Sequence, residues 1–149
     1  INVASGAHQF VKNMNFEDLQ SKDNYKPMQV YGQSKLANIL FTKSLSTKLS
    51  DFGVTVNCLH PGFVSTGIGS NNNKTLWSFL MFLAKPFARK TDKGAETSIY
   101  LCSSSEVKNI SGEYFVDCKI EKISDAAKSS EQAESLWKIS SELTGIDLN

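Results

Sequence analysis

Residues 28–62 read MQVYGQSKLANILFTKSLSTKLSDFGVTVNCLHPG, and this stretch decides the fold. In its first part Val30, Leu36, Ile39, Leu40, Phe41, Leu45 and Leu49 recur at three- and four-residue intervals. That spacing predicts an amphipathic helix from about Met28 to Leu49. Asp51-Phe52-Gly53 supplies a stop. Val54-Thr55-Val56-Asn57-Cys58-Leu59 is short, rich in β-branched residues and mostly apolar, which predicts a buried strand ended by His60-Pro61-Gly62. A helix feeding a strand that is apolar on both faces is the repeating unit of a parallel, helix-covered sheet.

Upstream, Ile1-Asn2-Val3-Ala4 predicts the end of a strand, broken by Ser5-Gly6. Residues 9–29 form a polar, irregular connection, and such long connections in compact domains are usually functional or disordered. Downstream, the segment 74–88 is strongly apolar, yet at most ten of its residues run without a charge, too few to span a bilayer. Thr91-Asp92-Lys93-Gly94 opens a helix through Tyr100 and Cys102, with Asp92 as its expected N-cap and Glu96 near its first turn. Gly112-Glu113-Tyr114-Phe115-Val116 predicts a third strand. Residues 125–143 predict one amphipathic helix with Ala133, Leu136, Trp137, Ile139 and Leu143 inward and Gly145 beyond its end. The Trp137 stripe is expected to be core or a dimer contact.

Strands separated by helices imply parallel pairing with right-handed crossovers. The expected fold class is α/β: the C-terminal part of a doubly wound parallel (Rossmann-type) sheet, about three strands with flanking helices. No repeat or second-domain boundary is visible, so residues 1–149 are expected to form a single domain. An open doubly wound sheet usually carries about six strands, which places the expected missing half before Ile1.

With 40% hydrophobic residues, 21% charged residues and a net charge of +1, the 149-residue chain has enough apolar content for a core. It offers no clustered basic patch for nucleic acid. Cys58, Cys102 and Cys118 are odd in number and without CxxC spacing, which predicts buried, reduced thiols, not a disulfide framework. With only two histidines in the chain, His8 and His60, no metal site is expected. His8 is expected in a surface loop, and His60 in a structural role.

The chemistry centres on Tyr31-Gly32-Gln33-Ser34-Lys35. Residues i and i+4 share a helix face, so phenol and ammonium can enter one cleft. A free tyrosine is a poor base at neutral pH, and a neighbouring cation favours its phenolate. The pair suits proton transfer to or from a hydroxyl or carbonyl oxygen. Ser5 stands at the end of the first strand, where open α/β sheets bind ligands and where a hydroxyl can hydrogen-bond an oxygen gaining charge. Pro61-Gly62-Phe63-Val64-Ser65-Thr66 follows the next strand at the same sheet edge. Its glycine allows close backbone approach, and its N–H groups and the Thr66 hydroxyl can bind an amide-bearing ring. The three motifs fall on successive strand–helix junctions.

Asn2-Val3-Ala4-Ser5-Gly6-Ala7-His8, Tyr31-Gly32-Gln33-Ser34-Lys35-Leu36-Ala37-Asn38 and His60-Pro61-Gly62-Phe63-Val64-Ser65-Thr66 resemble the short-chain dehydrogenase/reductase superfamily. The run 31–41, with Asn15-Phe16-Glu17-Asp18-Leu19 in the connection, resembles the branch containing retinol dehydrogenases. The resemblance implies an NAD- or NADP-dependent oxidoreductase that interconverts an alcohol and a carbonyl, with the branch favouring NADP. It implies that Ser5 polarises the substrate carbonyl and that Tyr31 is the general acid or base. Lys35 would favour the phenolate and bind the nicotinamide ribose. Pro61, Gly62, Val64 and Thr66 would hold the nicotinamide end, alongside Tyr31 and Lys35. The substrate would be apolar, such as a retinoid, steroid or lipid aldehyde. The family's relay Asn and its Gly-rich phosphate loop would lie upstream of Ile1, since no GxGxxG or TGxxxGxG occurs in the chain. Residues 1–149 would thus be a partial dinucleotide-binding and catalytic domain. Residues 76–88 would form a substrate lid, a membrane-surface segment or plain core. An intracellular setting, cytoplasmic or associated with endoplasmic-reticulum or mitochondrial membranes, and a homodimer are further expectations. A second reading, of a different class, is a non-catalytic form that holds the dinucleotide poorly.

Overall fold

The computed structural model describes residues 1–62 and 91–146. Four short strands make one sheet in the order β1 (Asn2–Val3), β2 (Cys58–His60), β3 (Tyr114–Val116) and β4 (Lys119–Ile120). β1 and β2 run parallel with Asn2 opposite Cys58, and β2 and β3 run parallel with Cys58 opposite Tyr114 and Leu59 opposite Phe115. The expected parallel order therefore holds for the first three strands. The sheet adds a fourth strand that the sequence reading lacks, antiparallel to β3. It is two residues long and follows a turn in which Asp117 and Cys118 take φ of 51° and 62°. Residues with this left-handed backbone are usually Asn-Gly or Asp-Gly in such hairpins, and Asp-Cys is not such a turn signal.

Pleating sends neighbours on a strand to opposite faces. Cys58 and Tyr114 join Leu36, Ile39, Leu40, Ala127, Ala133 and Leu136 in one buried cluster. Leu59 and Phe115 join Val107, with Tyr100 and Leu101 packed against them, in a second. Helices thus cover both faces, as expected of a doubly wound sheet.

The long helix α1 (Pro27–Lys48) matches the predicted one to within a residue at each end. Pro27 stands in its first turn, where the missing N–H costs nothing. Gly53, at φ 67°, turns the chain back toward β2. The predicted strand began at Val54, but residues 54–57 lie outside the assigned strand and Val54 is 48% exposed. Here side chains replace part of the ladder. The Val56 N–H donates to the Ser111 hydroxyl at 3.0 Å, and the Asn57 amide donates to the Ile110 carbonyl at 2.6 Å while accepting from the Glu113 N–H at 3.0 Å.

Helix α2 (Thr91–Ser103) covers the second cluster. Asp92 lies inside its first turn and not at the N-cap, a placement that still favours an acidic side chain by the helix dipole. The single helix expected over 125–143 is two: α3 (Asp125–Lys128) and α4 (Ser130–Thr144). Ser129 breaks them apart with an extended backbone and caps α4, its hydroxyl accepting from the Gln132 N–H at 3.2 Å. Ala133 and Leu136 are buried as expected, whereas Leu143 is 64% exposed in the last turn. Trp137 stacks on Phe41 of α1 at 5.6 Å between ring centroids, so this residue of the stripe packs within the chain.

Of the three thiols only Cys58 is fully buried; Cys102 is exposed on α2 and Cys118 is half-buried, so the expectation of three buried cysteines holds for one. All three are free. Among the described residues no helix is long and apolar enough to cross a membrane.

Candidate active site

The site is built where β1 ends. Ser5 follows β1 with an extended backbone and caps a single 3-10 turn, Gly6–Phe10. Its Oγ accepts the Ala7 N–H at 3.2 Å. That bond uses an oxygen lone pair and leaves the hydroxyl proton free to be donated elsewhere.

α1 lies directly on this turn because residue 32 is glycine. A Cβ there would sit 3.0 Å from the Ala7 carbonyl oxygen, 3.1 Å from Val11 Cγ1 and 3.3 Å from Phe10 Cβ. A side chain there would fit only if its neighbours gave by a few tenths of an ångström. The close approach brings the first turns of α1 to the end of β1, and Tyr31 and Lys35 with them. Tyr31 is 40% exposed. The Lys35 ammonium stands 5.6 Å from the Tyr31 ring centroid, within the range of a cation–π contact. It also donates to the Val3 carbonyl at 3.3 Å, an oxygen that the Asn38 amide reaches at 3.0 Å. The i, i+4 spacing has thus placed both groups on one face, as predicted.

The second turn of the site also falls into place. The His60 ring packs against Gly6, with Nε2 and Cδ2 at 3.7 and 3.9 Å from the position of a Cβ there. The turns after β1 and β2 are therefore neighbours at one sheet edge. Pro61 and Gly62 follow, Gly62 with φ 80°, a left-handed conformation that glycine adopts without strain. Val64 and Thr66 lie outside the described residues, as do Trp77, Phe79, Met81, Phe82 and Phe87 of the apolar segment.

His8 is the clearest departure from expectation. It is fully buried and not a surface-loop residue. Nδ1 contacts the Ser5 carbonyl at 2.8 Å, Nε2 accepts the Ser124 N–H at 3.2 Å, and the ring meets Tyr114 edge-on at 5.2 Å. Burial follows from this pairing of both ring nitrogens, which a one-dimensional reading cannot foresee. Two glutamines were also missed. Gln33 accepts from the Asn15 N–H at 3.0 Å and donates to the Asn13 carbonyl at 2.7 Å, and Gln132 of α4 accepts from the Met14 N–H at 2.7 Å. Together they clamp the start of the long connection between α1 and α4.

Burial pushes the Cys58 thiol up to about 11 and the Tyr114 phenol up to about 12. Both belong to the core beside the site. An open cleft of about 610 Å³, lined by Phe10, Lys12, Lys26, Met28, Gln29 and Gln33, also touches α1. Gln29 and Gln33 are two positions from Tyr31 and Lys35, about 200° around the helix, and neither residue of the pair lines this cleft. Among the described residues no group of three His, Cys, Asp or Glu side chains could hold a metal ion.

Residues 15–77 match the family model described as short chain dehydrogenase. That match contains Tyr31, Lys35 and the run Pro61–Thr66, while Ser5 precedes it. Retinol dehydrogenase 12 of Mus musculus is 40% identical over 146 residues, 98% of this chain and 45% of the relative. Retinol dehydrogenase 14 of Homo sapiens is 43% identical over 135 residues, 89% of this chain and 40% of the relative. The chain thus spans less than half the length of these curated relatives. A crystal structure of an uncharacterized protein from Mycobacterium Paratuberculosis superposes with a TM-score of 0.71 at 26% identity, covering 99% of this chain and 50% of the other.

Proposed function

Since the chain is of the short-chain dehydrogenase family, on its retinol dehydrogenase-like side, we propose that it carries the proton-transfer machinery of an oxidoreductase acting between an alcohol and a carbonyl. The observation that carries this reading is the Lys35 ammonium set against the Tyr31 ring, beside the turn that holds Ser5.

In the direction of reduction, the Tyr31 hydroxyl donates its proton to the substrate oxygen. The Ser5 hydroxyl, whose oxygen already accepts from Ala7, donates a hydrogen bond to the same oxygen and stabilises the charge that gathers there. The Lys35 ammonium stands 5.6 Å from the centroid of the ring whose oxygen gives up that proton. In oxidation the same groups act in reverse. A nicotinamide dinucleotide supplies or accepts the hydride when bound.

The residues present fit the nicotinamide end of such a group. Lys35 offers an ammonium to a ribose hydroxyl, and Gly62 offers a backbone that a ring can approach closely. Pro61, Val64 and Thr66 are assigned to the same role in this reading. The chain has no Gly-rich loop for the pyrophosphate, so holding that end is assigned to the rest of the full-length protein. NADP is the preferred cofactor and an apolar substrate, such as a retinoid, steroid or lipid aldehyde, the preferred class. The names of the two relatives support a retinoid within that substrate class.

The test is Tyr31→Phe in the full-length protein, assayed with NADPH and retinaldehyde. Loss of general acid catalysis should cut turnover by about 10²–10⁴-fold. Undiminished turnover overturns the assignment.

A further inference from the structure

The Ser5 carbonyl accepts two hydrogen bonds, and both come from one residue. The His8 N–H reaches it at 3.2 Å and the His8 ring nitrogen Nδ1 at 2.8 Å. A carbonyl can only accept, so Nδ1 carries the ring proton. A backbone N–H can only donate, so Nε2, facing the Ser124 N–H at 3.2 Å, presents its lone pair. Both contacts select the same tautomer. The ring is fully buried and packed edge-on against Tyr114 of β3, which fixes its plane. Beyond Ser124 the chain is itself anchored, since the Ser124 hydroxyl accepts from the Ala127 N–H at 3.3 Å and caps α3.

We propose that His8 is a positioning residue for the Ser5 hydroxyl, its imidazole a spacer that sets Ser5 against the fixed start of α3. This rests on the reading of Ser5 as the donor to the substrate oxygen. Ser5 is held from its N-terminal side by the Ala4 N–H bond to the Leu59 carbonyl at 2.8 Å. On its C-terminal side the hold passes through His8. A hydroxyl that must meet a developing oxyanion tolerates little displacement, and a shift of about 1 Å can cost on the order of 10²-fold in rate. The ring touches neither substrate nor cofactor in this reading. It acts through the backbone of Ser5 alone.

The experiment compares variants of the full-length enzyme with NADPH and retinaldehyde, separating kcat from KM. His8→Phe keeps the ring volume and loses both polar contacts. His8→Asn keeps a donor where Nδ1 stands. The proposal expects His8→Phe to lower kcat by about tenfold or more with the KM for NADPH unchanged, and His8→Asn to recover much of that loss. Ser124→Pro probes the other end, because φ at Ser124 is −62° and proline can occupy it while removing the N–H. Its control, Ser124→Ala, loses the cap and keeps the N–H. A lower kcat in Ser124→Pro than in Ser124→Ala supports the relay, and equal values overturn it. If His8→Phe fails to fold, His8→Asn and the Ser124 pair still decide. Each substitution is repeated on Ser5→Ala. Full activity of Ser5→Ala overturns the assignment of Ser5 itself. If Ser5→Ala is impaired, wild-type kcat in the His8 variants overturns the positioning role alone. A further kcat loss from His8→Phe on top of Ser5→Ala, equal to its loss in the wild type, also overturns it.

Discussion

Gly32 packs hard against Ala7: a Cβ on residue 32 would stand 3.0 Å from the Ala7 carbonyl oxygen, tighter than ordinary van der Waals contact. Alanine at this helical position would gain up to about 1 kcal/mol in intrinsic propensity. The contact opposes that gain, because the neighbour is backbone in a turn tied down by His8 and Ser5. Overpacking of this kind costs about 1–3 kcal/mol. Gly32→Ala should therefore lower stability by about 1 kcal/mol in urea titration and reduce turnover by shifting Tyr31. A variant more stable than the parent would show that the turn yields.

Lys35 is half-buried, and its ammonium serves the Val3 carbonyl and the Tyr31 ring. Replacing it with methionine keeps much of the stem packing and removes the charge. Lys35→Met should leave stability within about 1 kcal/mol of the parent, as expected for a partly exposed cation. Turnover should fall by about 10²-fold or more, as expected for loss of an acid–base component. Thermal unfolding and steady-state kinetics on the same preparation check this, and a fall in stability without a fall in turnover would contradict the assignment.

The β3–β4 hairpin turns through Asp117 and Cys118, both with left-handed φ. Such a conformation costs a non-glycine residue about 1 kcal/mol or more. The Cys118 N–H donates to the Thr97 hydroxyl at 3.2 Å, a bond that glycine retains, while its sulfur makes only a 4.0 Å contact there. Cys118→Gly should therefore raise stability by about 0.5–1 kcal/mol. A lower denaturation midpoint would mean that the thiol packs more firmly than its distance suggests.

Alkaline pH should reveal the two raised groups of the core. Cys58 ordinarily ionises at 9.0 and here at about 11; Tyr114 ordinarily ionises at 10.0 and here at about 12. In both cases burial is the main cause, and it disfavours the charged form. A raised value means that the unfolded chain loses its proton first. The stability these groups contribute is whole below pH 9 and 10 and is lost as pH rises through 11 and 12. Unfolding followed against pH should show this decline. Tyr114→Phe should lose less stability than the parent above pH 10, and parallel curves would exclude the phenol as a cause.

Thiol reactivity should follow the same geometry. Cys102 is exposed and Cys58 is buried with its ionisation suppressed, so a chromogenic disulfide reagent at pH 8 should label Cys102 first. Cys58 should react only with unfolding. Equal rates at the two positions would mean that the core opens far more readily than its packing implies.

Much of this was legible in the chain itself. The helix of Pro27–Lys48 followed from its apolar spacing, and the shared face of Tyr31 and Lys35 followed from the period of a helix. The junction of the two turns, seen in the packing of His60 on Gly6, followed from parallel topology. What escaped depended on partners distant in sequence. His8 is buried by Ser124, 116 residues away, and the clamp on Met14 comes from Gln132, 118 residues away. The break at Ser129 was hidden because Ala126 and Ala133 stand seven residues apart across it, the spacing of two helical turns. A cap needs only one extended residue, and periodicity averages over several. β4 was hidden because two residues carry no alternation to read.

The pleat of β2 and β3 has a consequence for any change made to this molecule. Adjacent residues on a strand are strangers: Cys58 and Tyr114 belong with α1, and Leu59 and Phe115 with α2. The sheet is a partition between two compartments that share a wall and no contents. Remodelling the α2 room through Leu59, Val107 or Phe115 reaches Tyr31 and Lys35 only by bending the wall. A change at Leu36, Leu40 or Tyr114 is already in the room where the chemistry would occur.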